Sequence, residues 1–186
     1  MIGIADLPDR RHAILRHFAR LCESPAEVLR RINLEMMGEV PEKMYITLVY
    51  AIIDTATDQI TLARAGHELP LLLHRDSSSG HLRVDDVGSE GMAVGMVSPE
   101  IFDRVIVDKS VPFRAGDVFV LYTDGVTEAM SADGSEFTTA RLGDALKYFQ
   151  QHTPQEMNQG ILASVESFAG SGTPRDDITI VTVRHT

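Results

Sequence analysis

Asp117-Val118-Phe119-Val120-Leu121-Tyr122-Thr123-Asp124-Gly125-Val126-Thr127-Glu128-Ala129 is the stretch that decides how this chain folds. Val118 to Tyr122 form an apolar, β-prone run of the kind that fills a buried strand. The run stops at Thr123-Asp124-Gly125. A carboxylate fixed at the end of a buried strand and followed by glycine is well placed to hold a hard cation or a phosphate-bound metal. The strand fixes the side chain, and the glycine lets backbone and ligand come close. Asp-Gly is also the commonest turn dipeptide, so the stretch alone fits a surface strand-to-turn corner better than a cation site. A partner carboxylate elsewhere separates the two readings. Asp176-Asp177, at the entry to the apolar run Ile178–Val183, offers one.

Working outward on the N-terminal side, residues 112–117 read as a turn and Ile101–Val111 as another strand. Gly88–Pro99 is a glycine- and methionine-rich loop that either approaches a ligand or crosses the end of a sheet. Met44–Ile53 and Gln59–Ala65 have period two and flank a turn at Asp54–Asp58. The acidic spacing there fits a hairpin rather than a calcium loop. Gly66-His67-Glu68-Leu69-Pro70 interrupts the pattern, Leu71–Leu73 resume it, and His81–Val84 pair back after the turn at Asp76–Gly80.

Helical spacing bounds this strand block on both sides. Before it, Ala13, Ile14, Phe18, Leu21 and Cys22 form one stripe. Ser24-Pro25-Ala26-Glu27 then joins a capping box to a first-turn proline and opens a second helix carrying Val28, Leu29 and Ile32. After the block, Leu142, Ala145, Leu146 and Phe149 form a stripe. Thr153-Pro154-Gln155-Glu156 opens a helix carrying Met157, Ile161, Val165 and Phe168. Ile2–Ala5 resembles the end of a buried strand that delivers Asp6 to a loop. The expected architecture is α+β: a layered sandwich of antiparallel sheets flanked by helix pairs, as a single domain over residues 1–186. Alternating βα units and a Gly-x-x-x-x-Gly-Lys phosphate loop are both missing from the sequence.

The bulk composition narrows the class further. The 27 acidic against 17 basic residues give a net charge of −10, which argues against nucleic acid or an anionic membrane as the main partner and suits cation binding. The single cysteine, Cys22, excludes an internal disulfide, fits a reducing compartment, and reads as a packed thiol rather than a nucleophile. The start, Met-Ile-Gly-Ile-Ala-Asp, lacks a basic leader. The longest apolar run, Tyr45–Ile53, falls short of the roughly 20 residues of a membrane span. A soluble, cytoplasmic protein is expected.

Asp6, Asp124 and Asp176-Asp177 all adjoin apolar strand-like runs. If those strand ends share one sheet edge, the carboxylates converge into a self-repelling cluster best stabilised by divalent cations. Three unrelated loop aspartates are the alternative. No histidine-cysteine set has zinc spacing, so the oxygen ligands point to Mg²⁺ or Mn²⁺.

Leu121–Ala129 together with Arg175-Asp176-Asp177-Ile178-Thr179 resembles the metal-dependent serine/threonine phosphatases of the PPM (type 2C) family. The closer likeness is to its bacterial branch, named after stage II sporulation protein E. Residues 65–73, Gly91-Met92-Ala93-Val94-Gly95, residues 24–29 and residues 112–117 resemble that branch in the same order. The resemblance implies an αββα sandwich with a two-metal site, where a metal-bridging hydroxide attacks a phosphoserine or phosphothreonine. The implied substrate is a phosphorylated signalling protein of the anti-sigma-factor-antagonist type. By position, Asp124 and Asp176 match metal ligands, Gly125 the turn glycine, and Asp177 a supporting position. His67 replaces a metal aspartate of eukaryotic relatives and is not read as a ligand. Asp6 matches the bridging aspartate, but the Gly-His-Gly loop expected after it is replaced by Leu7-Pro8-Asp9-Arg10-Arg11-His12. The family's opening strands are missing, so the chain reads as an N-terminally truncated member. The alternative is a pseudo-phosphatase that keeps the fold as a protein-binding module.

Overall fold

The computed structural model describes residues 9–36, 45–170 and 176–186. Ile2–Ala5 and Asp6 therefore lie outside the described residues. In chain order the elements are α1 (Asp9–Leu21), α2 (Pro25–Met36), β1 (Leu48–Asp54), β2 (Gln59–Ala65), β3 (Leu71–Arg75), β4 (Leu82–Asp86), α3 (Pro99–Val105), β5 (Lys109–Pro112), β6 (Val118–Tyr122), α4 (Asp124–Thr127), α5 (Thr138–Tyr148), α6 (Pro154–Ala169) and β7 (Ile180–Arg184). They fall into two compact units. One comprises the described residues up to 67 together with 88–113, the other 68–87 together with the described residues from 114 on.

The first unit holds an antiparallel sheet in the order β1-β2-β5. The β1–β2 hairpin pairs Leu48 with Ala65 and Asp54 with Gln59. Its turn is closed by Asp54 Oδ1, which accepts the Ala56 N–H at 2.8 Å, in agreement with a hairpin rather than a calcium loop. Val28, Leu29, Ile32 and Met36 of α2 bury against Leu48, Tyr50, Ala63 and Ala65 of the sheet. Ile14, Leu15, Phe18, Ala19 and Cys22 add a partly buried layer to this core, so Cys22 is a packed thiol.

The cap of α2 differs from a plain capping box. Ser24 Oγ accepts the Glu27 N–H at 3.2 Å, while the Glu27 carboxylate turns along the helix to Arg31 at 2.8 Å. Asp108 instead completes the cap: it accepts the Ser24 hydroxyl at 2.5 Å and the Ala26 N–H at 2.7 Å. Arg30 adds a bond to the Ile106 carbonyl at 2.6 Å. We predict that Asp108→Ala costs about 1–2 kcal/mol of stability, the usual value of a lost cap. Urea unfolding would measure it, and an unchanged midpoint would contradict this account of the cap.

The expected strand over Ile101–Val111 is corrected: its first part is helix α3, and only Lys109–Pro112 is strand. Ser98-Pro99 opens the helix, with the Ser98 carbonyl accepting the Ile101 and Phe102 N–H groups at 3.1 and 3.0 Å. Phe102 and Ile106, four residues apart, are both fully buried. A helix places both on one face and turns Arg104, between them, out to solvent as observed, whereas a period of two would bury Arg104 with them. The chain runs back past β2 at Gly91, where a Cβ would stand 1.8 Å from the Arg64 carbonyl oxygen. Only glycine fits there.

The second unit is built on β6. Its five residues are all buried, and it lies inside the antiparallel sheet β4-β3-β6-β7. Leu71 pairs with Val120, and Tyr122 with Ile180. α5 and α6 cover this sheet with Leu142, Leu146, Met157, Ile161 and Val165. The start of α6 is the expected capping box: Glu156 N–H donates to Thr153 Oγ1 at 3.3 Å, and Thr153 N–H donates to the Glu156 carboxylate at 2.9 Å. The Thr153 N–H and hydroxyl, both donating to the Glu156 carboxylate, hold its carboxyl below the usual carboxylate range. Helices with antiparallel strand pairs throughout both units make the chain an α+β protein, as expected.

Candidate active site

The site region lies where β6 ends and the chain enters β7, wholly within the second unit. Tyr122 is the last ladder residue, and the pairing is then carried on by a side chain. The Thr123 N–H donates to the Thr179 carbonyl at 3.1 Å. The Thr123 hydroxyl accepts the Thr179 N–H at 3.0 Å and donates to the Asp177 carbonyl at 2.9 Å. Thr123 thus sews the Asp-Gly corner to the segment before β7. Sequence reasoning had not singled it out; its position, facing Thr179 across a predicted strand pair, is the signal that was available.

Gly125 brings the two acidic segments closer still. A Cβ at Gly125 would lie 2.5 Å from the Asp177 carbonyl oxygen and 3.3 Å from that of Asp176. The expected turn after Asp124 is a short helical turn, α4, in which the Asp124 carbonyl accepts the Glu128 N–H at 2.8 Å. Asp124 Oδ1 accepts the N–H of Gly125 at 2.9 Å, and Asp176 Oδ1 accepts that of Asp177 at 2.8 Å. Each carboxylate is thereby oriented by the next residue's backbone while remaining exposed to solvent. The strand entered through Asp176-Asp177 begins only at Ile180, so both acids sit in irregular chain.

Asp124, Gly125, Asp176 and Asp177 are therefore brought together, and Asp6 lies outside the described residues. Among the described residues no group of three or more His, Cys, Asp or Glu side chains is arranged to hold a metal ion. Asp124 and Asp176 fit a hard divalent cation in donor type, since both offer carboxylate oxygen at an exposed corner. His67, in the first unit, has Nδ1 3.1 Å from Thr47 Oγ1, and its carbonyl accepts Arg64 Nη1 at 2.7 Å.

Just before the site, Tyr122 is 2% exposed. Burial pushes its hydroxyl up to about 12; Glu68 and Asp86 add to the rise, and a bond with Thr139 opposes it. The folded protein keeps this proton after the unfolded chain begins to lose it near pH 10. The stability it contributes is therefore full below pH 10 and is lost as pH rises toward 12, a loss of about 2–3 kcal/mol. Tyr122→Phe should show a correspondingly shallower alkaline loss in denaturant titrations across that window. An identical slope would remove Tyr122 as its source.

Residues 10–186 match the family described as Stage II sporulation protein E (SpoIIE). The phosphoserine phosphatase RsbU of Bacillus subtilis (strain 168) is 27% identical over 163 residues, which cover 86% of this chain and 45% of RsbU. The chain spans under half the length of the curated relatives it matches. Among solved structures, the SiaA-PP2C domain of Pseudomonas aeruginosa superposes with a TM-score of 0.76 at 21% identity, covering 95% of this chain and 68% of that one. The manganese-presoaked SpoIIE phosphatase domain of Bacillus subtilis gives 0.64 at 21% identity, covering 98% and 76%. The chain is similar to PP2C-type phosphatases in fold.

Proposed function

This chain belongs to the stage II sporulation protein E (SpoIIE) family of PP2C-type phosphatases, and we propose that it is itself a metal-dependent protein serine/threonine phosphatase. Its substrate would be a phosphorylated signalling protein of the anti-sigma-factor-antagonist type. The observation that carries this reading is the approach of the Asp124-Gly125 corner to the Asp176-Asp177 segment, close enough to exclude a Cβ at Gly125. In this assignment Asp124 and Asp176 hold a divalent cation, Mn²⁺ or Mg²⁺, with Asp6 as the third carboxylate. The chemistry the cation supplies when bound is Lewis-acid charge on the phosphoryl oxygens and on the attacking water. The chain's own work is positional. Thr123 and Gly125 fix the spacing of the two acidic segments, and the Gly125 and Asp177 N–H groups orient one oxygen of each carboxylate. Asp177 acts mainly through its main chain.

We further assign both compact units to one domain over residues 1–186, and the protein to the cytoplasm. No helix among the described residues is long and apolar enough to cross a membrane. A second reading, a pseudo-phosphatase serving as a binding module, is favoured by one feature: Asp6-Leu7-Pro8-Asp9-Arg10-Arg11-His12 carries no glycine. Aryl phosphate hydrolysis by the purified chain separates the two. The phosphatase releases product with Mn²⁺ and stops on chelation. Product release no faster than in buffer at saturating Mn²⁺ would favour the pseudo-phosphatase.

A further inference from the structure

We propose that the solvent face of α1 is a docking surface for the acidic face of another protein. α1 carries four of the chain's 17 basic residues (Arg10, Arg11, Arg16 and Arg20) and one of its 27 acidic residues, Asp9. It is thus a +3 helix on a chain of net charge −10. Ala13, Arg16, His17 and Arg20 are exposed, while Ile14, Leu15, Phe18 and Ala19 pack against the core of the first unit. Arg16 and Arg20 stand four apart on that exposed face, a like-charge spacing that destabilises a helix.

The chain's other acid-base pairs show what Arg16 and Arg20 lack. Arg30 and Arg31 pair with Glu27, Arg83 pairs with Asp76 and Asp85, and Lys147 pairs with Asp144. Neither Arg16 nor Arg20 has an ion pair among the described residues. Leu21, at the end of the same face, is 67% exposed. Two arginines with no ion pair among the described residues, beside an exposed leucine, are the kind of group that anchors protein interfaces, and an acidic partner relieves their repulsion. A membrane fits less well. An interfacial helix inserts its apolar side, and here that side is already packed against the protein's own core.

This inference stands independently of catalysis, and binding alone tests it. The full chain is titrated into a fluorescein-labelled oligoglutamate peptide and into its oligoglutamine counterpart, with anisotropy as the readout. We expect salt-sensitive binding of the glutamate peptide only, weakened about tenfold or more by Arg16→Glu with Arg20→Glu. Arg16→Gln with Arg20→Gln should weaken it in the same direction, which guards against misfolding of the reversed variant. The control Lys109→Glu with Arg114→Glu changes the net charge equally at exposed positions elsewhere in the chain, and should leave affinity within about twofold if the effect is local. Equal losses in both doubles, or no binding by wild type, would overturn the proposal. So would binding to phosphatidylserine vesicles with none to the peptide.

Discussion

Asp124→Asn is expected to reduce Mn²⁺-dependent aryl phosphate hydrolysis by more than about 100-fold, with the fold intact. The carboxylate is exposed and its one described side-chain bond is to the Gly125 N–H, which an asparagine oxygen can still accept. Structure is therefore preserved while the charge is lost. Removing groups that merely support a metal ligand costs about 10- to 100-fold, so removing a ligand should exceed that range. The same substitution at Asp176 should cost a similar amount, and at Asp177 much less. Asp177 serves through its carbonyl, which accepts the Thr123 hydroxyl, and its N–H, which holds Asp176 Oδ1. Neither depends on its side chain. A larger loss for Asp177→Asn than for Asp176→Asn would mean that the two aspartates exchange roles.

Gly125→Ala should be nearly as damaging to activity for a purely steric reason. The new methyl group would stand 2.5 Å from the Asp177 carbonyl oxygen, and that neighbour is backbone and cannot swing away. The two segments must part by about 1 Å, a displacement that costs on the order of 10²-fold in a catalytic arrangement. It should also cost about 1–3 kcal/mol of stability as an overpacked contact. Parallel measurement of activity and urea unfolding would separate the two effects. Wild-type activity in Gly125→Ala would show that this close approach is dispensable.

Sequence and structure agree best where one physical signal dominates. Val118–Tyr122 is uniformly apolar because β6 is covered on both faces, and the Thr153–Glu156 capping box sets the start of α6 in both. The β1–β2 hairpin was legible because two β-prone runs flank the Asp54–Asp58 turn, which the Asp54 side chain closes. Ile101–Val111 misled because Ile101, Val105 and Val107 mimic alternation. The Ser98-Pro99-Glu100 start carried the correct answer, with Pro99 in the first helical turn. At the site, Asp124 and Asp176 were visible as carboxylates beside apolar runs. The approach of the Asp124-Gly125 corner to the Asp176-Asp177 segment was legible only as a condition on a shared sheet edge, because it depends on the register of β6 with β7 and on the Thr123 hydroxyl, neither of which is encoded locally. Asp108 as the cap of α2 escaped for the same reason, since 82 residues separate it from Ala26.

The central claim is that Asp124 and Asp176 hold the same divalent ion, and calorimetric Mn²⁺ titration of wild type, Asp124→Asn, Asp176→Asn and the double variant tests it most directly. A shared ion predicts that each single substitution removes or strongly weakens the same dominant site, and that the double variant is little worse than either single. Wild-type affinity in Asp124→Asn, or independent and additive losses in the double variant, would contradict it.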